Sequence, residues 1–192
     1  MALSHFDERR GVIKCKTSFG SWWQTVGEVH IAINIPKETR SKDVKIVVSP
    51  KHLKCTVLNK VLLEGELFET VRGDDFVWTI EENDDKSKDI CLVLSKASYE
   101  KSDRVCWESL MTGHNFHPDL MTFSEMRKQI DLELFQIENP GMDFSRAKLS
   151  KSYDKVPMYP GNSSNGFIQQ NVETESEMDG QPRNFEDSSD NL

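Results

Sequence analysis

Apolar residues return at every second position, again and again, between Trp22 and Leu94. No other feature limits the fold as much. A period of two buries one face of each segment and leaves the other in water. Val29, Ile31, Ile33 and Ile35 form the clearest stripe, and Pro36 ends it because proline has no N–H for a ladder. Val44, Ile46 and Val48 follow and stop at Pro50. Leu53, Cys55 and Val57 make the next stripe, and Asn59-Lys60 reads as a tight turn into Val61 to Phe68. Gly73-Asp74-Asp75 reads as a further turn before Phe76, Trp78 and Ile80. Glu81 to Asp89 is a charged loop, and Ile90, Leu92 and Leu94 close the set. With Trp22 to Thr25 as the opening strand, the expectation is a mainly β fold, a seven-stranded antiparallel β-sandwich. There is no βαβ spacing and no glycine-rich phosphate loop, which argues against a nucleotide-binding α/β fold.

One helical pattern follows the strands. Phe123, Met126, Ile130, Leu134 and Ile137 recur at spacings of three and four, opposite Arg127, Lys128, Asp131, Glu133 and Glu138. Two starts fit: Pro118 as a first-turn residue, or Thr122-Phe123-Ser124-Glu125 as a capping box. Asn139-Pro140-Gly141 stops it. An isolated helix of this length is marginal in water, so the stripe must dock, either on the sandwich or on a second copy as a homodimer. The domain reading is a flexible lead over 1–13, the sandwich over 14–111, the helix and its following loop over 112–150, and a disordered tail over 151–192. From Lys151 onward the chain holds eight acids against three bases. That tail is too polar to offset its ordering entropy and is expected to be dispensable for folding.

The 192 residues carry a net charge of −8, which argues against a general affinity for nucleic-acid backbones. Cys15, Cys55, Cys91 and Cys106 include no C-x-x-C pair, and the charged first fifteen residues do not read as a signal peptide. No segment has the length of a membrane span. The expectation is a cytoplasmic chain with reduced thiols. Cys106, His114 and His117 form the one constellation for a small metal- or cysteine-dependent enzyme, but a fourth ligand is missing and Pro118 places the group in a connector. Glu64, Glu66 and Glu69 alternate with apolar residues and read as a solvated face. No catalytic residue, metal or cofactor is expected. The aromatics carry more: adjacent Trp22 and Trp23 must face opposite sides of a strand, so one enters the core and the other is an interface anchor or is covered by a flanking segment. Trp22, Trp23, Met126, Ile130, Leu134 and Phe144 are the candidate partner-binding residues.

Trp23-Gln24-Thr25, Glu28-Val29 and Ile33 to Pro36 resemble the opening of the CS domain in NudC proteins. Lys60 to Leu67, Trp78-Thr79-Ile80 and Trp107-x-x-Leu110 fall where that domain places its later strands and closing tryptophan turn. Glu138-Asn139-Pro140-Gly141-Met142-Asp143-Phe144-Ser145-x-Ala147 resembles the family's C-terminal signature. The resemblance implies an immunoglobulin-like sandwich of the HSP20-like chaperone type and a non-enzymatic co-chaperone or stabilising adaptor. It implies as partners the 90-kDa heat-shock chaperone and β-propeller clients such as the lissencephaly protein of the dynein pathway. It also implies placement at centrosome, spindle or other microtubule structures. The small single-domain co-chaperone of the wider superfamily carries an extended aromatic and acidic segment after its sandwich. This chain has a helix there, which leaves a dynein or microtubule scaffold without chaperone contact as the alternative.

Overall fold

The computed structural model describes residues 11–84, 86–97 and 105–149. Most of the expected flexible lead and the whole acidic tail lie outside the described residues. Among the described residues eight strands and one α-helix form the framework. A five-stranded antiparallel sheet takes the order β1 (Cys15–Thr17), β2 (Gly20–Gln24), β3 (Glu28–Ile35), β8 (Lys88–Lys96), β7 (Val71–Glu82). A three-stranded sheet takes the order β4 (Val44–Ser49), β5 (His52–Val57), β6 (Lys60–Glu66). The inward stripe of β3, with Ile90, Leu92 and Leu94 of β8, packs in one cluster with Leu53, Cys55, Val57 and Leu63 of the smaller sheet. The outer face of β3 is drier than alternation alone predicts: His30 and Ala32 are also buried.

Three local readings are corrected. The set opens at β1, not at Trp22, and its three residues are too few to show alternation. Gly73-Asp74-Asp75 is no turn but lies inside β7, at the register shift between Val71 and Phe76. β7 is an edge strand, where a bulge costs few ladder bonds. The β5–β6 turn is Leu58-Asn59, both with left-handed backbone (φ 48° and 63°), and it closes on the pair Val57 and Lys60. That is the two-residue turn whose twist matches a hairpin. Gly20 is fixed by sterics: at φ 146° a Cβ would stand 2.1 Å from the Ala32 carbonyl oxygen of the neighbouring strand.

Helix α1 (Leu120–Glu138) starts one residue beyond Asp119, which neither expected start had used. Asp119 Oδ1 accepts from the N–H groups of Met121 and Thr122, both at 3.0 Å, satisfying two of the free donors of the first turn. Its carboxyl lies below the usual aspartate range, chiefly through the Thr122 hydroxyl. Met126 joins the main core, whereas Phe123 and Ile130 pack with Val26, Val105 and Cys106, with Leu134 against them. The stripe stops short of expectation, for Ile137 is 59% exposed. Asn139 caps the end by bonding the Phe135 carbonyl from both its backbone N–H and its side-chain amide.

Candidate partner-binding surfaces

A polar knot ties the helix end of the sandwich together. Lys96 ends β8 at the inward position that continues Ile90, Leu92 and Leu94, and it is 1% exposed. Its Nζ donates to Gln24 Oε1 (3.0 Å), the Thr25 carbonyl (2.7 Å) and the Val105 carbonyl (2.7 Å). Gln24 in turn accepts from Trp107 N–H and donates to the Trp107 carbonyl, each at 2.8 Å. Burial pushes the Lys96 pKa down to about 8, opposed by the neighbouring Cys106 sulfur and Glu133 carboxylate. Glu133 was expected on the outer face of the helix. Its Oε2 instead accepts from the Val26 N–H at 2.8 Å, which fixes the helix to the end of β2.

The adjacent tryptophans divide between core and surface. Trp22 is fully buried and its indole N–H donates to the Phe116 carbonyl at 2.8 Å. Trp23 lies on the outer face of the larger sheet, half-buried. Its ring stacks on His30 with centroids 5.1 Å apart, and Lys14 Nζ stands 4.7 Å from its centroid. Strand register continues this row through Val93 to Val77, which is 60% exposed. Glu28 lies 3.1 Å from His30 at the same end of the sheet, and burial raises its carboxyl pKa, with Asp75 adding to the rise.

Met126 and Ile130 face inward, so among the helix candidates the exposed apolar surface lies beyond them. Phe144 is half-buried with its ring 6.2 Å from that of Phe135. Gln136 holds the following loop by donating to the Met142 carbonyl and accepting from the Phe144 N–H. Phe135, Ile137 and Met142 are exposed around this clamp. Sequence periodicity pointed to the middle of the stripe and missed Phe135 and Met142; the signal for them is their place beside the Asn139-Pro140-Gly141 stop.

The constellation for an enzyme is not assembled. Cys106 is buried, its Sγ accepts from Gln24 at 3.6 Å, and burial pushes the thiol up to about 11. His114 and His117 are exposed. Among the described residues no group of three His, Cys, Asp or Glu side chains is placed to hold a metal ion. Nor is any described helix long and apolar enough to cross a membrane.

Residues 20–96 match the CS domain, so the larger sheet and the hairpins of the smaller one define a CS-type β-sandwich. The chain is 35% identical over 150 residues to NudC domain-containing protein 2 of Homo sapiens, covering 78% of this chain and 91% of that protein. It is 25% identical over 158 residues to the nuclear movement protein nudC of Dictyostelium discoideum, covering 68% and 92%. The crystal structure of mouse NudC domain-containing protein 2 aligns at 32% identity and a TM-score of 0.39, covering 71% of this chain and 99% of that one. The chain belongs to the NudC family. Membership supports a co-chaperone-like role in general terms.

Proposed function

We propose that this chain is a non-enzymatic co-chaperone or stabilising adaptor in the cytoplasm that acts with the 90-kDa heat-shock chaperone on β-propeller clients of the dynein pathway, the lissencephaly protein among them. Its family membership, with a match spanning 91% of a human relative, is the observation that carries the reading. Two partly apolar surfaces support it: the outer face of the larger sheet, where half-buried Trp23 and exposed Val77 flank the buried His30 and Val93, and the clamp around Phe135, Met142 and Phe144. Both sit on elements fixed by packing, which lowers the entropy lost on binding. The buried, protonated Cys106 gives no support to a nucleophile. A pull-down with the full chain tests the reading. Retention of both the chaperone and a propeller client, reduced by Trp23→Ala or Met142→Asp, is the expected result; retention of neither overturns it.

A second reading is a scaffold for dynein or microtubule machinery at centrosome or spindle without chaperone contact. It is favoured by the helix Leu120–Glu138, which follows the sandwich and packs on it. Client retained without chaperone in the same experiment selects this reading. A homodimer through the C-terminal helix is compatible with either reading, and sedimentation at two concentrations tests it.

A further inference from the structure

A groove opens on the side of the sandwich where β6 is the free edge of the smaller sheet. Ile35 and Pro36 at the end of β3 face Val57, Leu58 and Leu62 across a cavity of about 470 Å³. An adjoining cavity of about 250 Å³ extends it past Phe19, Ile33 and Val61. The two adjoin along Asn34, Lys60 and Leu62; the larger is mostly apolar, the smaller is more polar, and Lys60 lines both.

Two independent observations mark it. Leu58 is a bulky apolar residue held at φ 48° and 56% exposed. Asparagine or glycine adopts that backbone with less strain, and strain that persists in a fold clusters at sites of function. The second observation is charge. The Leu58 N–H donates to the Asp43 carbonyl at 2.9 Å, and Pro36 lines the groove, so the segment 36–45 starts at the groove and passes the Leu58 turn at Asp43. That segment carries Lys37, Arg40, Lys42 and Lys45 against Glu38 and Asp43, and Lys60 adds a further positive charge, on a chain whose net charge is −8. Among the described residues Lys37, Lys42 and Lys60 have no ion-pair partner. A local excess of one sign beside an apolar floor selects partners of the opposite sign.

We propose that this groove docks an extended acidic peptide segment of another protein, with an apolar side chain seated on Val57, Leu58 and Leu62 and flanking carboxylates on Lys60, Lys37 and Lys42. The edge geometry favours this over a second copy. The far end of β6 is already covered, since the Glu66 carbonyl accepts from Thr112 and Leu67 bridges to Met111. The bulge opposite Cys55 and Thr56 bends the remaining edge, which disfavours a long strand-to-strand pairing between two copies. Side chains in the groove, with a few backbone bonds at its mouth, are what a short extended peptide can use.

The test uses the full chain and fluorescence anisotropy with three labelled heptapeptides: alternating glutamate and leucine, the same with lysine for glutamate, and the same with glycine for leucine. The glutamate–leucine peptide is expected to bind at least about tenfold more tightly than either control, and added salt should weaken it. Lys60→Glu should weaken it by about tenfold or more, and Leu58→Asn, which suits the turn, should weaken it without loss of stability. Equal binding of the lysine peptide, no binding of the acidic one, or indifference to both substitutions overturns the proposal. So does a doubling of sedimenting mass that Lys60→Glu abolishes, which gives the groove to a second copy. No chaperone or client enters the assay, so its failure leaves the co-chaperone reading untouched.

Discussion

Replacing Lys96 with methionine removes a charge from a site with 1% exposure and keeps most of the side-chain volume. In the unfolded chain the ammonium titrates near 10.5, and in the folded chain at about 8. Between those values the unfolded state binds more protons than the folded one, so this group makes stability rise with pH. Integrated from about pH 7 to about pH 9, the rise is on the order of 1 kcal/mol. The thiols act in the opposite sense. Burial raises Cys15, Cys55 and Cys106 from 9.0 to about 11 and Cys91 to about 12, so unfolded thiols ionise first and stability falls as pH rises through 9. All four thiols remain in the variant, and subtracting its stability from that of the parent removes their shared effect. The difference should therefore grow by roughly 1 kcal/mol between about pH 7 and about pH 9. Urea unfolding of both proteins in reducing buffer at three pH values measures it. The constant offset contains the lost bonds to the Thr25 and Val105 carbonyls; the slope isolates the ammonium. A difference that stays flat or shrinks with pH refutes the buried-charge account.

Ile33→Ala should cost ~2–5 kcal/mol because Ile33 is fully buried between the two sheets, and an unchanged denaturation midpoint would remove it from the core. Leu58→Asn should raise stability by about 1 kcal/mol by relieving left-handed backbone on a non-glycine residue; a lowered urea midpoint would show that Leu58 packs more than it strains. Ile130→Asp places a carboxylate among Val26, Val105, Cys106 and Phe123 and should release the helix from the sandwich. Circular dichroism with sedimentation reads it, and unchanged helicity together with unchanged mass rules out this docking.

Strands were legible where alternation ran long enough between proline stops, as from Val29 to Ile35. They were not where the element was three residues long, as at Cys15–Thr17, or where an edge bulge used the residues of a turn, as at Gly73–Asp75. The helix start was hidden because Pro118 and the Thr122 box each imitate a first turn, while Asp119 between them supplies the cap. Lys96 carries a readable signal, for it follows Ile90, Leu92 and Leu94 in the inward register. A lysine at a strand end reads as solvated unless that register is followed to its last residue. What no linear pattern shows is the convergence of Gln24, Val105 and Trp107 on its Nζ, because those partners lie 72, 9 and 11 residues away in the chain. The sorting of Trp22 from Trp23 was half legible. Strand geometry forces opposite faces, but nothing in the linear pattern shows that the distant Phe116 carbonyl accepts from the Trp22 indole N–H on the inner side.

The helix is joined to the sandwich in two physically different ways, and this bears on how a partner is held. Met126 and Ile130 supply non-directional burial, roughly 1.5–3 kcal/mol each. Glu133 to Val26 and Gln129 to the Gly11 carbonyl supply direction, since each bond holds only at one rotation of the helix about its axis. Phe135, Ile137 and Met142 lie beyond both sets, so their position relative to the sheet depends on contacts they do not make. Loosening Glu133 should therefore blur the exposed clamp around Phe144 while leaving its composition intact. A partner that reads this surface would then lose affinity through the entropy of ordering it, not through any lost contact. The apolar groove beside β6 stands on strand pairing and lies outside that coupling, so the same change should leave binding there unaltered.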